Sequence, residues 1–111
     1  VHRVLGPGLL ESIYEECLCH ELALHRLAFR RQDNIPISYK GVHLHSLLRL
    51  DLWVSKSVII EIKSTDKIET IHERQLVSYL RLAACDLGII LNFNVRQMKD
   101  GVRRVQRFGP S

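Results

Sequence analysis

The chain has 111 residues, of which 46% are hydrophobic and 25% are charged. These values are ordinary for a soluble globular protein and predict one domain over residues 1–111 with a single modest core. The 16 Lys and Arg residues exceed the 12 Asp and Glu residues and give a net charge of +4, which permits polyanion binding without requiring it. No apolar run approaches the roughly 18 residues of a membrane-spanning helix, and no signal peptide is visible.

The three cysteines, Cys17, Cys19 and Cys85, are odd in number and lack CxxC spacing. This pattern argues against a disulfide framework and against structural zinc, and it favours the reducing cytoplasm. The chain begins at Val1 without an initiator methionine. We therefore expect that part of an N-terminal helix lies outside this sequence.

Apolar residues at three- and four-residue steps predict a first helix from about residue 9 to residue 27, after the break at Gly6-Pro7-Gly8. Glu11 opens this helix, where a negative charge complements the helix dipole. Because Glu11 also borders the apolar stripe, it could instead reach a metal site. The polar residues 30–34 that follow are predicted to form a loop, in which Arg30 and Arg31 are candidate phosphate contacts.

Residues 35–40 alternate in the manner of a strand, and Pro36 favours an edge position or the start of that strand. Gly41 marks a turn. Two apolar runs, 47–54 and 58–62, then flank the polar break Ser55-Lys56-Ser57, which is typical of a β-hairpin.

A turn centred on Lys56 places Asp51 directly opposite Glu61. Alternation along the strands puts Asp51, Glu61 and Lys63 on one face of the hairpin. The other face is predicted to carry the apolar residues Leu50, Leu52, Val54, Val58, Ile60 and Ile62.

Opposed side chains in a sheet have Cβ atoms roughly 4.5–5.5 Å apart, and like charges at that distance are destabilising. Asp51 and Glu61 therefore need a proton, a cation or displacement into solvent. A hard divalent cation such as Mg²⁺ would meet this need, and the Lys63 ammonium group beside it would suit phosphodiester hydrolysis. A register slip of one residue would separate the two acids, and a bare E-x-K pattern also occurs on solvated strand faces.

Capping residues at Ser64-Thr65-Asp66 predict a second helix from residue 68 or 69 to residue 84. On it, His72, Gln75 and Tyr79 form a stripe that either lies beside the acidic pair or is the polar edge of an amphipathic helix.

Residues 88–93 predict a strand buried on both faces, and the basic residues 102–108 predict a last strand at an edge of the sheet. This order of elements predicts a mixed α/β domain with helices packed on a central sheet.

The segment Gly8-Leu9-Leu10-Glu11-Ser12-Ile13-Tyr14 matches GxxExxY, the string after which the GxxExxY protein family is named. The chain resembles this family over nearly its whole length, and the family is similar to the PD-(D/E)XK nuclease superfamily. The resemblance implies an αβββαβ core around a mixed sheet. Further matching positions are Pro36, Tyr39-Lys40-Gly41, Arg49-x-Asp51-Leu52, Glu61-x-Lys63, His72-x-x-Gln75, Tyr79-Leu80 and Asn92-Phe93.

The same resemblance implies that Asp51 and Glu61 ligate a divalent metal, Mg²⁺ or Mn²⁺, with the backbone carbonyl of Ile62 as a further ligand. Lys63 would be the catalytic lysine. Leu50 stands where the superfamily name has a proline, a departure that leaves this chemistry intact.

Two more site residues follow from the resemblance. Glu11 corresponds to an acidic residue that many superfamily members present from the first helix, as a catalytic group and a further metal ligand. Gln75 corresponds to a polar residue on the helix after the E-x-K strand that completes the catalytic site.

The function expected from this resemblance is a metal-dependent nuclease acting on DNA or RNA, with Arg49, His72, Arg30 and Arg31 as candidate nucleic-acid contacts. One alternative is a catalytically silent module of the same fold that binds nucleic acid or protein. A third is a structural protein in which Arg49 and Lys63 neutralise the acids. Because the basic surface is small, a homodimer or an accessory subunit could complete the binding cleft.

Overall fold

The computed structural model describes residues 1–108. Two helices precede a three-stranded antiparallel segment, and a third helix leads into two further strands, so that the predicted order of the main elements is confirmed. In chain order the elements are α1 (His2–Leu5), α2 (Glu11–Leu24), β1 (Phe29–Tyr39), β2 (Val42–Val54), β3 (Val58–Lys63), α3 (Thr70–Ala83), β4 (Leu87–Asn92), a 3₁₀ turn (Met98–Asp100) and β5 (Val102–Gln106).

The five strands form one mixed sheet in the order β1-β2-β3-β4-β5. All neighbouring pairs are antiparallel except β3 and β4, which are parallel and are joined by the crossover helix α3. The run from α2 to β4 is the expected αβββαβ core, and β5 is added beyond it. Pro36 lies in the edge strand β1, and the basic strand β5 forms the other edge, as the sequence predicts.

Each face of the sheet carries one apolar cluster. The residues that α2 packs onto one face form the first cluster, and the residues around α3 on the other face form the second. The first cluster contains Tyr14, Cys19, Leu22, Leu52, Val54, Ile60, Ile62 and Phe93. The second contains Leu48, Leu50, Ile59, Leu76, Leu80, Cys85, Ile90 and Val105.

The prediction that Leu50 shares a face with Leu52 is wrong. Leu50 belongs to the cluster around α3, whereas Leu52 belongs to the cluster around α2. Between them the pairing of β1 with β2 omits one step, Gln32 with Asp51, and Gln32 has a φ of 50°. A residue in the left-handed region interrupts the strict alternation of a strand. The two strands therefore change the face they present at this step, which lies beside Asp51.

The structure also corrects the predicted loop at residues 30–34, which lies inside β1. Arg30 pairs with Trp53 and Arg31 with Leu52 across the two strands. Polar side chains are tolerated here because β1 is an edge strand with solvent beside it. Both arginines consequently have positions set by the sheet.

Close packing places α3 directly over β4. A Cβ atom added to Gly88 would lie 2.8 Å from Cδ2 of Leu76, a distance that real Cβ atoms do not reach. The glycine thus lets the helix approach the strand next to β3. Within residues 1–108, no helix is long and apolar enough to span a membrane.

Candidate active site

The hairpin of β2 and β3 has the predicted register. The turn occupies residues 55–57, and positive φ angles of 51° at Ser55 and 55° at Lys56 reverse the chain. Leu52 pairs with Ile60 and Val54 with Val58. Continued by one step, this register sets Asp51 opposite Glu61.

At that step, hydrogen bonds from backbone to side chain replace the backbone–backbone hydrogen bonds that pair the two strands. The N–H of Ile62 donates to Oδ2 of Asp51 at 2.9 Å, and the N–H of Asp51 donates to Oε1 of Glu61 at 3.4 Å. Each carboxylate is therefore held by backbone of the opposite strand. Both lie in the gap where β2 and β3 part, as the sequence-based register requires.

The electrostatics of the pair show the expected conflict. Glu61 is only 9% exposed. Burial raises its pKa most, and the charge and side-chain hydrogen bond of Asp51 raise it further, to about 8; the backbone N–H of Asp51 and the charge of Lys63 oppose the rise. Without a cation, Glu61 therefore holds a proton at neutral pH.

Lys63 is half-buried at the end of β3. Its carbonyl accepts the N–H of Phe93 at 3.0 Å. The segment after it is tied down by the buried Asn92, whose side chain accepts the N–H of Thr65 at 3.1 Å and donates to the carbonyl of Thr65 at 3.0 Å. These bonds fix the backbone from which the lysine side chain projects, on the same strand face as Glu61.

The helix α2 reaches the site through Glu15. This carboxylate is 5% exposed and accepts bonds from Nε of Arg31 at 2.8 Å and from Nε2 of Gln32 at 2.6 Å. Nε2 of Gln32 also lies 3.4 Å from Oδ1 of Asp51. Gln32 thus links the buried acid of α2 to the acid of β2.

Glu11 has a different environment from the one that the resemblance implies. It is the first residue of α2 and is exposed, and within residues 1–108 it makes no side-chain hydrogen bond and no ion pair. The structure therefore does not bring Glu11 into the hydrogen-bonded network of Asp51, whereas it does bring Glu15. Sequence reasoning missed Glu15 and Gln32; the position of Glu15 beside Tyr14 on the helix was the one available signal.

Tyr14, the tyrosine of the GxxExxY string, is completely buried. Its hydroxyl donates to the carbonyl of Gly6 at 2.6 Å and accepts the N–H of Leu9 at 3.1 Å. Its ring stacks on Phe93, with centroids 4.5 Å apart. The tyrosine therefore holds the loop before α2 against the end of β4.

On the opposite face, Tyr79 of α3 lies close enough to the acids for their charges to act on it, and Gln75 hydrogen-bonds Tyr79. Burial raises the pKa of Tyr79, the charges of Glu61 and Asp51 raise it further, and hydrogen bonding with Gln75 opposes the rise. His72, which was predicted to share this stripe and to contact nucleic acid, is engaged elsewhere. Its Nδ1 accepts the N–H of Glu69 at 3.0 Å, and with Glu69 it forms the N-terminal capping box of α3.

The candidate phosphate contacts differ in availability. Nε of Arg31 is paired with Glu15, while 41% of the Arg31 side chain remains exposed. Nη1 of Arg30 lies 3.9 Å from Oδ2 of Asp33, a loose contact in which the Arg30 side chain is 66% exposed, and Arg49 is exposed on β2. Within residues 1–108, neither Asp51 nor Glu61 lies within 4.0 Å of a basic nitrogen, so the salt bridges of the purely structural alternative are not formed.

A family model described as the PD-(D/E)XK nuclease superfamily matches residues 1–105. The chain belongs to the PD-(D/E)XK nuclease superfamily. Searches of the curated proteins and of the solved structures found no match. Nucleases of this superfamily generally use divalent metals, and their substrate is nucleic acid.

The donor set of this PD-(D/E)XK protein is small. In the described part of the chain, no group of three or more His, Cys, Asp or Glu side chains could hold a metal ion. Mg²⁺, however, is commonly bound through one or two carboxylates and keeps several waters or substrate phosphates as its other ligands. Two adjacent carboxyl groups, of which Glu61 has a pKa raised by burial and then by the charge of Asp51, fit such a cation.

Proposed function

We propose that this chain is a metal-dependent nuclease that hydrolyses phosphodiester bonds of nucleic acid at Asp51, Glu61 and Lys63. The observation that carries the proposal is the meeting of two carboxylates in the gap between β2 and β3. A buried carboxyl group beside a second, half-buried acid is costly in a fold that could have placed apolar side chains there. Its cost is offset when the pair binds a cation. The match of the GxxExxY string further supports a place in the GxxExxY family.

In this proposal Asp51 and Glu61 bind and orient Mg²⁺ or Mn²⁺, with the carbonyl of Ile62 as a third protein ligand. When bound, the ion would lower the pKa of a coordinated water and neutralise phosphate charge. The backbone bonds to Asp51 and Glu61 hold both carboxylates in place before the ion arrives. Little conformational entropy is therefore lost when the ion binds.

Lys63 is assigned the positioning of the attacking water and the stabilisation of charge that develops on the phosphate. Its ammonium group lies on the same strand face as Glu61 and is close enough for its charge to act on that carboxyl. Gln75 and Tyr79 border the site from α3 and would hydrogen-bond the substrate or its water. Following the family resemblance, Glu11 is assigned an accessory role through a second ion or a water.

The deciding experiment incubates the protein with a panel of single- and double-stranded DNA and RNA in Mg²⁺, Mn²⁺ or EDTA. We expect cleavage that requires the metal and is abolished in Lys63→Ala with metal binding largely kept. Lys99→Ala is the matched control, because Lys99 is an exposed lysine on the 3₁₀ turn.

Asp51→Ala and Glu61→Ala should lose both metal binding and cleavage while circular dichroism shows a retained fold. Nucleic-acid binding without cleavage across the whole panel would instead identify a catalytically silent binding module. Cleavage that survives in Lys63→Ala would overturn the assignment of the lysine.

A further inference from the structure

A cleft of about 660 Å³ opens at the hairpin end of the sheet. Its walls combine two aromatic rings with two basic side chains, of which only Arg30 was considered above, as a candidate phosphate contact. The lining residues are Ala28, Phe29, Arg30, Trp53, Ser55 and Lys56. A cleft of this volume is within the range of small-molecule sites.

The Trp53 wall of the cleft lies on the same face of the sheet as Glu61. Trp53 pairs directly with Ile59 across β2 and β3, and paired residues project to the same face. Ile59 is two residues before Glu61 on β3, whose pairing with β4 is uninterrupted. Trp53 is therefore displaced from Glu61 by about two residues along the strand, roughly 7 Å, which is on the scale of one nucleotide.

Trp53 offers an apolar surface. The residue is half-buried, and its Nε1 atom is inaccessible and has no hydrogen-bond partner within residues 1–108. The accessible part of the side chain is therefore ring carbon, the surface on which a nucleobase stacks.

The charge of the cleft complements a phosphate backbone. Lys56 is exposed at the tip of the β2–β3 turn. The Arg30 side chain is 66% exposed and has only the loose contact of 3.9 Å with Asp33. In the described residues neither group is committed to a close ion pair, so both can turn towards a ligand.

We propose that this cleft binds one unpaired nucleotide of a nucleic-acid strand, with its base against Trp53 and the adjoining phosphates near Arg30 and Lys56. The inference rests on the proposed nuclease function, which places the scissile phosphate at Asp51 and Glu61. It adds a substrate class, because a base inside a duplex is stacked on its neighbours and cannot reach the indole. The enzyme then acts on single strands or on unpaired positions.

The test uses Trp53 as its own reporter, since it is the one tryptophan of the sequence. Short single-stranded oligonucleotides of DNA and of RNA are titrated in EDTA while tryptophan emission is followed, and a blunt duplex serves as the comparison. We expect quenching by the single strands and at least about tenfold weaker binding of the duplex. The DNA and RNA arms show which backbone the cleft prefers.

Variants are compared by the anisotropy of a labelled single strand. Trp53→Ala should weaken binding about tenfold, in line with the loss of one stacked base, and Trp53→Phe should retain most of it. Arg30→Ala and Lys56→Ala should each weaken binding about two- to fivefold and reduce its salt dependence. Arg81→Ala and Lys99→Ala, which remove exposed basic residues elsewhere, should change nothing.

Anisotropy that saturates without any change in tryptophan emission would overturn the inference, as would a duplex that binds as tightly as the single strand. Because Trp53→Ala removes part of the apolar cluster, the exposed Lys56→Ala variant provides a test that does not depend on core packing. If oligonucleotides quench tryptophan emission but are not cleaved in the presence of metal, the nuclease function is refuted and the nucleotide site is retained. Cleavage without quenching would refute the nucleotide site alone.

Discussion

Asp51 and Glu61 each hydrogen-bond to the backbone of the other strand, through the Ile62 N–H to Asp51 Oδ2 at 2.9 Å and the Asp51 N–H to Glu61 Oε1 at 3.4 Å. These bonds stand where the next rung of the β2–β3 ladder would form. They bring two acids together at a point where burial favours the neutral form of Glu61. We therefore expect the stability of the protein to depend on pH and on bound cations. We also expect stability to fall when single polar atoms of the residues that support the site are removed.

The pH dependence of stability should report Glu61 in metal-free buffer. Its pKa rises from 4.5 to about 8 on folding, so between these values the folded state keeps a proton that the unfolded state has lost. Stability contributed by the protonated carboxyl is fully present below about pH 4.5 and is lost as the pH rises to about 8. The loss is at most about 1.4 kcal/mol per pH unit.

Urea unfolding of the parent protein and of Glu61→Gln in EDTA measures this effect. The difference between the two free energies of unfolding cancels the contribution of the other titrating groups. We expect the free energy of unfolding of Glu61→Gln to increase relative to that of the parent protein as the pH rises. A difference that stays constant from pH 5 to 8 would contradict the raised pKa.

A divalent cation should stabilise the folded protein by replacing that proton. Mn²⁺ at about 100 times its dissociation constant should add about 2.7 kcal/mol, and binding should release a proton near neutral pH. Thermal unfolding with and without Mn²⁺ measures the shift. Asp51→Asn should abolish it, whereas Asp100→Asn, at an exposed aspartate outside the site, should retain it.

Substitutions of Glu15 and of Glu11, both on α2, should differ in their effect on stability. Glu15→Gln removes a buried charge that pairs with Arg31 and bonds Gln32, so we expect a loss of about 1–3 kcal/mol in the free energy of unfolding. Because Gln32 also contacts Asp51, metal affinity should fall by about tenfold or more.

Glu11→Gln is the matched variant, four residues earlier on the same helix. Its side chain is exposed, so stability should change by less than about 0.5 kcal/mol. Equal losses in the two variants would show that the Glu15–Gln32–Asp51 connection does not support the site. Isothermal titration with Mn²⁺ and urea unfolding together provide both readouts.

Tyr14→Phe should destabilise the fold while leaving the ring stacked on Phe93. The change removes the hydroxyl that bonds Gly6 and Leu9 and leaves two polar backbone groups without that partner. We expect a loss of about 1–3 kcal/mol. Tyr39→Phe, at a tyrosine that is 61% exposed, is the control and should be neutral in the same urea titration.

The sequence alone determined the features that depend on local chemistry. The polar turn at residues 55–57 and the two-residue period of its flanking runs set the register of β2 and β3, and that register set Asp51 opposite Glu61. The helical period similarly located α3, and the edge positions of β1 and β5 followed from Pro36 and from the basic residues of the last strand.

Only the tertiary structure decided which side chains surround the acids. Gln32 adopts a positive φ where β1 passes Asp51, and this conformation brings it into contact with Glu15, 17 positions away in the sequence. The same step moves Leu50 to the opposite face from Leu52. No local pattern encodes such a change, because the strained backbone conformation is stabilised by packing among α2, β1 and β2.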